Sequence, residues 1–358
     1  MSMKHIAFAI PGDIDTPTGG YIYDRRIIAG LRALGWTVDL VGLGDGFPFP
    51  DARTLSAAQK ILSVVPQGCP VLIDGLAFGV MPAIARQLAL THPLIALVHH
   101  PLALEAGLSV AQAEAFRRSE MDALWHAAHV IVTSPATART LVTEFGLPAL
   151  RVHVVLPGTD RLKATCMGKP ERDDPQQFLR LLSVGSITPR KGFDVLMASL
   201  DLVKDRPWEL TIAGDRTRDP HAPLQLAQDI ERFGLRDRVR LLGAVTSEVL
   251  ESLYLDADIF VLASRYEGYG MAFAEALAHG LPVIATTGGA IPETVPSTAG
   301  ILVEPGDVAQ FAQALRQIIV DETLRARLSD GAAKAARIQP DWAQSSESFS
   351  KLLQSFLR

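Results

Sequence analysis

The chain has 358 residues, 48% hydrophobic and 20% charged, with a formal net charge of −5. That length exceeds what one core supports, so two domains of ordinary size are expected, and the composition can bury both. Neither half has the basic excess of a nucleic-acid binder, and no apolar run is long enough to span a membrane.

The first apolar run, HIAFAI, carries no signal-peptide cleavage pattern and reads as a strand. The loop PGDIDTPTGG follows, then a helix over YIYDRRIIAGLRALG that closes on Gly35. Strands and helices then alternate through TVDLVGL, PVLIDGL, LIALVHH, VIVTS and VHVVLPG. Near-continuous apolar strands separated by helices predict a parallel sheet covered on both faces. Residues 161–177 are polar and unpatterned and read as a linker. A second series starts at LRLLSVGS and runs through WELTIAG, VRLLGAV, IFVLAS and PVIAT.

The fold class expected is therefore α/β, with two Rossmann-like doubly wound domains facing across a cleft. Their bounds are 1–160 plus 341–358, and 178–340. Cys69 and Cys166 match no metal or redox spacing, so a reduced, cytoplasmic protein without a disulfide framework is expected. No second His or carboxylate stands at metal spacing from His99, so no metal or other cofactor is expected. In open parallel sheets ligands bind beyond the carboxyl ends of the strands, which directs attention to the loops there.

The most informative loop is EGYGMAFAEALAHG. Glu267 and Glu275 have seven residues between them, and Gly268 and Gly270 open the backbone at the start of a helix. A helix N-terminus offers unpaired N–H groups and a positive dipole end to a phosphate. A carboxylate on its next turn can accept both hydroxyls of a ribose. In SVGSITPRKGFD, Arg190 and Lys191 lie between a strand and a helix, placed to meet a diphosphate. Gly19 and Gly20 stand just before the first helix, where backbone could approach phosphate or sugar, or simply turn. His99 ends a strand, where it either contacts a ligand or hydrogen-bonds the core.

Together these residues resemble the retaining glycosyltransferases of family 4, which have the GT-B architecture. The chain carries that family's glutamate pair intact in EGYGMAFAE, its lysine–glycine loop as VGSITPRKG, a strand-end histidine as His99, and a Gly-Gly loop. The resemblance implies that Glu275 binds a nucleotide ribose, and that Glu267 with the backbone of Gly270, Met271 and Ala272 holds the donor sugar and phosphates. It further implies that Lys191 binds the diphosphate, that Val245 contacts the base through its backbone, and that His99 touches the donor sugar. The family's usual arginine after V-G is Ser186 here, and Arg190 is the candidate replacement.

The expected activity is retaining transfer from a UDP- or GDP-sugar in glycan or glycolipid assembly. The acceptor is left open among sugars, polysaccharides, lipids and small molecules, as is peripheral contact with the inner membrane face. A GT-B nucleotide-sugar 2-epimerase and a non-catalytic nucleotide-sugar binder are the alternatives. An NAD-dependent dehydrogenase ranks below both, because no G-x-G-x-x-G stretch lies between a strand and a helix.

Overall fold

The computed structural model describes residues 4–160 and 178–356. The predicted linker and Cys166 lie outside the described residues. The chain divides into two compact units, Met1–Gly158 with Pro340–Arg358, and Thr159–Gln339.

The first unit is built on six parallel strands: β1 (His5–Ile10), β2 (Thr37–Gly42), β3 (Val71–Asp74), β4 (Leu94–Val98), β5 (His129–Val132) and β6 (Val152–Val154). Their order is β2-β1-β3-β4-β5-β6. The pleat sends alternate residues to opposite faces: Ile6, Phe8 and Ile10 enter one core, Ala7 and Ala9 the other. Both faces are therefore apolar, which is why these strands read as unbroken hydrophobic runs. Each fully buried Ile or Phe contributes roughly 1.5–3 kcal/mol of transfer free energy.

The last helix, Trp342–Phe356, returns to this unit and packs beside the helix Gly19–Ala33, placing Phe349 and Leu353 in the core shared with Ile6 and Phe8. Gly30 makes the crossing possible, since a Cβ there would fall 1.9 Å from Ser346 Oγ. Trp36 Nε1 donates to Ser350 Oγ (2.8 Å) and closes the contact.

The second unit repeats the plan with β7 (Leu179–Val184), β8 (Trp208–Ala213), β9 (Val239–Gly243), β10 (Ile259–Val261), β11 (Val283–Thr286) and β12 (Gly300–Val303). Their order is β12-β11-β10-β7-β8-β9, all parallel. In each sheet the order reverses once, between β1 and β3 in the first unit and between β7 and β10 in the second. Loops leaving neighbouring strands at such a point diverge to opposite faces and open a crevice between them. Among the described residues no helix is long and apolar enough to cross a membrane.

Candidate functional site

The two informative loops of the second unit meet at its switch point. Arg190 and Lys191 follow β7 in a single turn, Pro189–Lys191, that ends on Gly192. Gly192 has φ +65° and a Cβ there would lie 2.0 Å from the Ala263 carbonyl oxygen, so the β7 loop presses on the chain leaving β10. The clamp is completed by Arg265, whose N–H donates to Arg190 O (2.7 Å) and whose guanidinium grips both oxygens of Asp194 (2.9 and 2.6 Å).

Within this clamp Glu267 is 6% exposed. Lys191 Nζ donates to its Oε1 (2.7 Å), Arg190 Nη1 to its Oε2 (2.9 Å) and Ser264 Oγ to Oε1 (2.6 Å). Burial alone would raise its pKa, but the charges of Lys191 and then Arg190, with the hydrogen bonds, overcome that and lower it to about 2. Two cations and one carboxylate leave a formal charge of +1 beside the helix Met271–Ala278. Gly270 starts that helix with φ +91°, a conformation glycine tolerates.

Glu275 stands one turn along this helix and is half-buried. The Tyr254 hydroxyl donates to its Oε2 (2.9 Å). Burial, and then the Glu275 charge, push the Tyr254 phenol well above its ordinary range, which keeps it a donor to an ionised carboxylate. Met271 and Ala272 occupy the first turn and are half-buried; Gly268 is buried in the loop. Val245 lies two residues past the end of β9, half-buried. A hollow beside that strand end is lined by Ile187, Gly214, Arg216, Leu241 and Gly243. The structure thus gathers Arg190, Lys191, Glu267, Gly270 and Glu275 around one strand-end region, with Ser186 on the same loop as the cations.

His99 and the glycine pair belong to the first unit. The glycines do not precede the helix, as expected from sequence; Gly19 and Gly20 are its first two residues. The reason is the cap: Thr18 accepts from Tyr21 N (3.4 Å), so helix geometry starts at Gly19. Gly20 packs on the imidazole, a Cβ there being 3.1 Å from His99 Cδ2. His99 is not a lone strand-end histidine. Its Nε2 lies 3.2 Å from Asp24 Oδ1 and 3.2 Å from Asp74 Oδ2, and both aspartates are buried. These are the three side chains, among the described residues, whose ligand atoms lie close enough together to hold a metal ion.

Sequence reasoning missed Ser264, Tyr254, Asp24 and Asp74. Asp24 had a visible signal, since it falls on the apolar stripe with Ile27, Ile28 and Leu31.

The family described as Glycosyltransferase Family 4 matches residues 19–161, and that described as Glycosyl transferases group 1 matches residues 179–321. The mannosylfructose-phosphate synthase of Agrobacterium fabrum is 28% identical over 229 residues, 60% of this chain and 50% of that one. The MMP alpha-(1->4)-mannosyltransferase of Mycolicibacterium hassiacum is 26% identical over 307 residues, 81% and 71% of the two chains. The chain thus spans about half the length of the first of these relatives. Among solved structures, sucrose-phosphate synthase of Thermosynechococcus elongatus superposes with a TM-score of 0.82 at 21% identity over 98% of both chains. HepE of Anabaena, in complex with UDP and glucose, gives 0.75 at 19% identity over 99% of this chain and 100% of its own. At such identities these likenesses establish the fold, two Rossmann-like domains. With both family matches placed in order along the chain, the protein belongs to the GT-B glycosyltransferases of family 4.

Proposed function

We propose that the protein transfers a hexosyl group from a nucleoside-diphosphate sugar to an acceptor hydroxyl with retention of configuration. The observation that carries this reading is the Arg190–Lys191–Glu267 cluster at the β7/β10 switch point, with Glu275 on the adjoining helix. Its net positive charge and the helix start suit a diphosphate, and Glu275 suits a ribose diol. Val245, beside the strand-end hollow, suits a base read through backbone. A cation 4 Å from the leaving phosphate stabilises it by up to ~4 kcal/mol at an effective dielectric near 20.

In the proposed reaction the bond from the anomeric carbon to the phosphate oxygen breaks while the acceptor oxygen bonds to the same face. The departing diphosphate takes the acceptor's proton. The chain's own share is positioning and electrostatic stabilisation of that leaving group. No step requires a metal ion. UDP is the first nucleotide to test, because HepE is solved with it.

The test is incubation of purified protein with a panel of UDP- and GDP-sugars, following free nucleotide with and without candidate acceptors. Slow release without acceptor, accelerated by one acceptor class, is expected. A sugar epimerised with no acceptor dependence, or no nucleotide released from any donor, overturns the reading.

A further inference from the structure

We propose that Asp24 and Asp74 act as positioning residues that hold His99 as an imidazolium, so that its other ring nitrogen, Nδ1, meets a ligand oxygen as a hydrogen-bond donor rather than an acceptor. The argument starts from placement. Asp24 comes from the helix Gly19–Ala33, Asp74 ends β3 and His99 follows β4, so the switch point of the first sheet brings two acids to one imidazole. Asp24 is 0% exposed, and neither of its oxygens has an aligned hydrogen bond among the described residues. Asp74 spends Oδ1 on the N–H of Leu76 (2.9 Å) and turns Oδ2 to His99.

A buried carboxylate with so little hydrogen bonding needs a positive charge or its own proton. Nε2 lies 3.2 Å from one oxygen of each acid, within ion-pair distance of both and aligned for a hydrogen bond with neither. A neutral imidazole carrying its proton on Nε2 would leave two buried negative charges facing a dipole. An imidazolium reduces the group to a single net negative charge at the same geometry.

The other groups around the ring do not compete. Tyr23 meets it edge-on at 5.4 Å with its hydroxyl donated to Val155 O (3.1 Å), and His100 turns to Glu105 (3.0 Å). Arg25 acts weakly on Asp24 and directs its guanidinium at Ile14 O and Thr16 O. Burial opposes the charge on His99, yet the two acids outweigh it and hold the imidazole pKa at about 10. The ring keeps 20% exposure, so a ligand can reach it. The ligand named here, a hydroxyl or phosphoryl oxygen of a sugar substrate, rests on the function proposed above; the charge of His99 does not.

The experiment is a pH series of long-range proton–nitrogen spectra on 15N-labelled full-length protein, with His99 assigned from a His99→Gln sample. Both ring nitrogens should keep imidazolium shifts through pH 8.5. In Asp24→Asn and in Asp74→Asn the midpoint should fall by about one to three pH units, the usual effect of removing a nearby opposite charge. Nucleotide release should then become pH-dependent around the new midpoint in the variants while staying flat in the wild type. A His99 that is neutral at pH 7.5 in the wild type overturns the proposal without any variant having to fold. So does a midpoint unmoved in both variants, or a stoichiometric divalent metal at these three side chains. Absence of nucleotide release from every donor overturns the functional reading, and with it the ligand assigned to Nδ1, while the spectra alone still decide the charge.

Discussion

Replacing Glu267 by Gln removes one negative charge and leaves Lys191 and Arg190 facing each other, both mostly buried. The drop of the Glu267 pKa from 4.5 to about 2, at about 1.4 kcal/mol per pH unit, makes its ionised form worth about 3 kcal/mol to the second unit. Removing one partner of a buried ion pair elsewhere costs about the same, roughly 3–5 kcal/mol. The sign follows from linkage: a depressed carboxylate contributes stability fully present above pH 4.5 and lost as pH falls through about 2. The gap between wild type and Glu267→Gln should therefore be constant above about pH 5.5 and roughly halved near pH 3.

Because the chain forms two units, a single unfolding free energy is not defined, and the assay must report on one of them. Hydrogen exchange in peptides covering β7, β8 and β10 does so. At pH 7 the variant should exchange about 100-fold faster there and unchanged in β1–β6. Equal protection at pH 7, or a gap that survives acid undiminished, would falsify the charge argument for this cluster.

Lys191→Ala should cut turnover by about a hundredfold or more by removing one cation from the leaving phosphate, with the far-ultraviolet circular dichroism unchanged. Glu275→Ala should lose comparable turnover, and nucleotide affinity measured by thermal shift should fall with it; unchanged affinity would remove the ribose role. Glu120 offers a test by pH alone: it is buried under Leu102 N, which donates to it (3.0 Å), and burial pushes it up to about 8. A raised acid contributes stability that is fully present below pH 4.5 and lost as pH rises through about 8, so Glu120→Gln should gain on the wild type across that window and run parallel above it.

What the sequence reveals about this protein follows from distance along the chain. Glu267, Gly270 and Glu275 sit in one stretch of nine residues, so glycines, carboxylates and the helix start can be read together. Lys191 is 76 residues from the carboxylate it bonds, and Tyr254 is 21 from Glu275; no local pattern ties either pair. The parallel sheets are legible because strands buried on both faces leave unbroken apolar runs. The start of the first helix is not legible because a glycine pair reads as a turn, whereas the Thr18 cap begins the helix at Gly19. Asp24 and Asp74 belong to helix and strand segments whose meeting at His99 is set by strand order, which no spacing encodes.

The electrostatics of Glu267 also bear on how retention would be achieved. A carboxylate serving as covalent nucleophile or general base needs accessible electron density and a pKa near working pH. Glu267 has neither: Lys191, Arg190 and Ser264 occupy its oxygens, and its pKa lies near 2. Glu275 is turned to Tyr254 and lies on the turn assigned to the ribose. With both glutamates committed, neither is placed to take the acceptor's proton. In the proposed reaction the acceptor's proton would then pass to the departing phosphate, whose own basicity rises as the glycosidic bond breaks, and retention would follow from the two events sharing one face of the sugar.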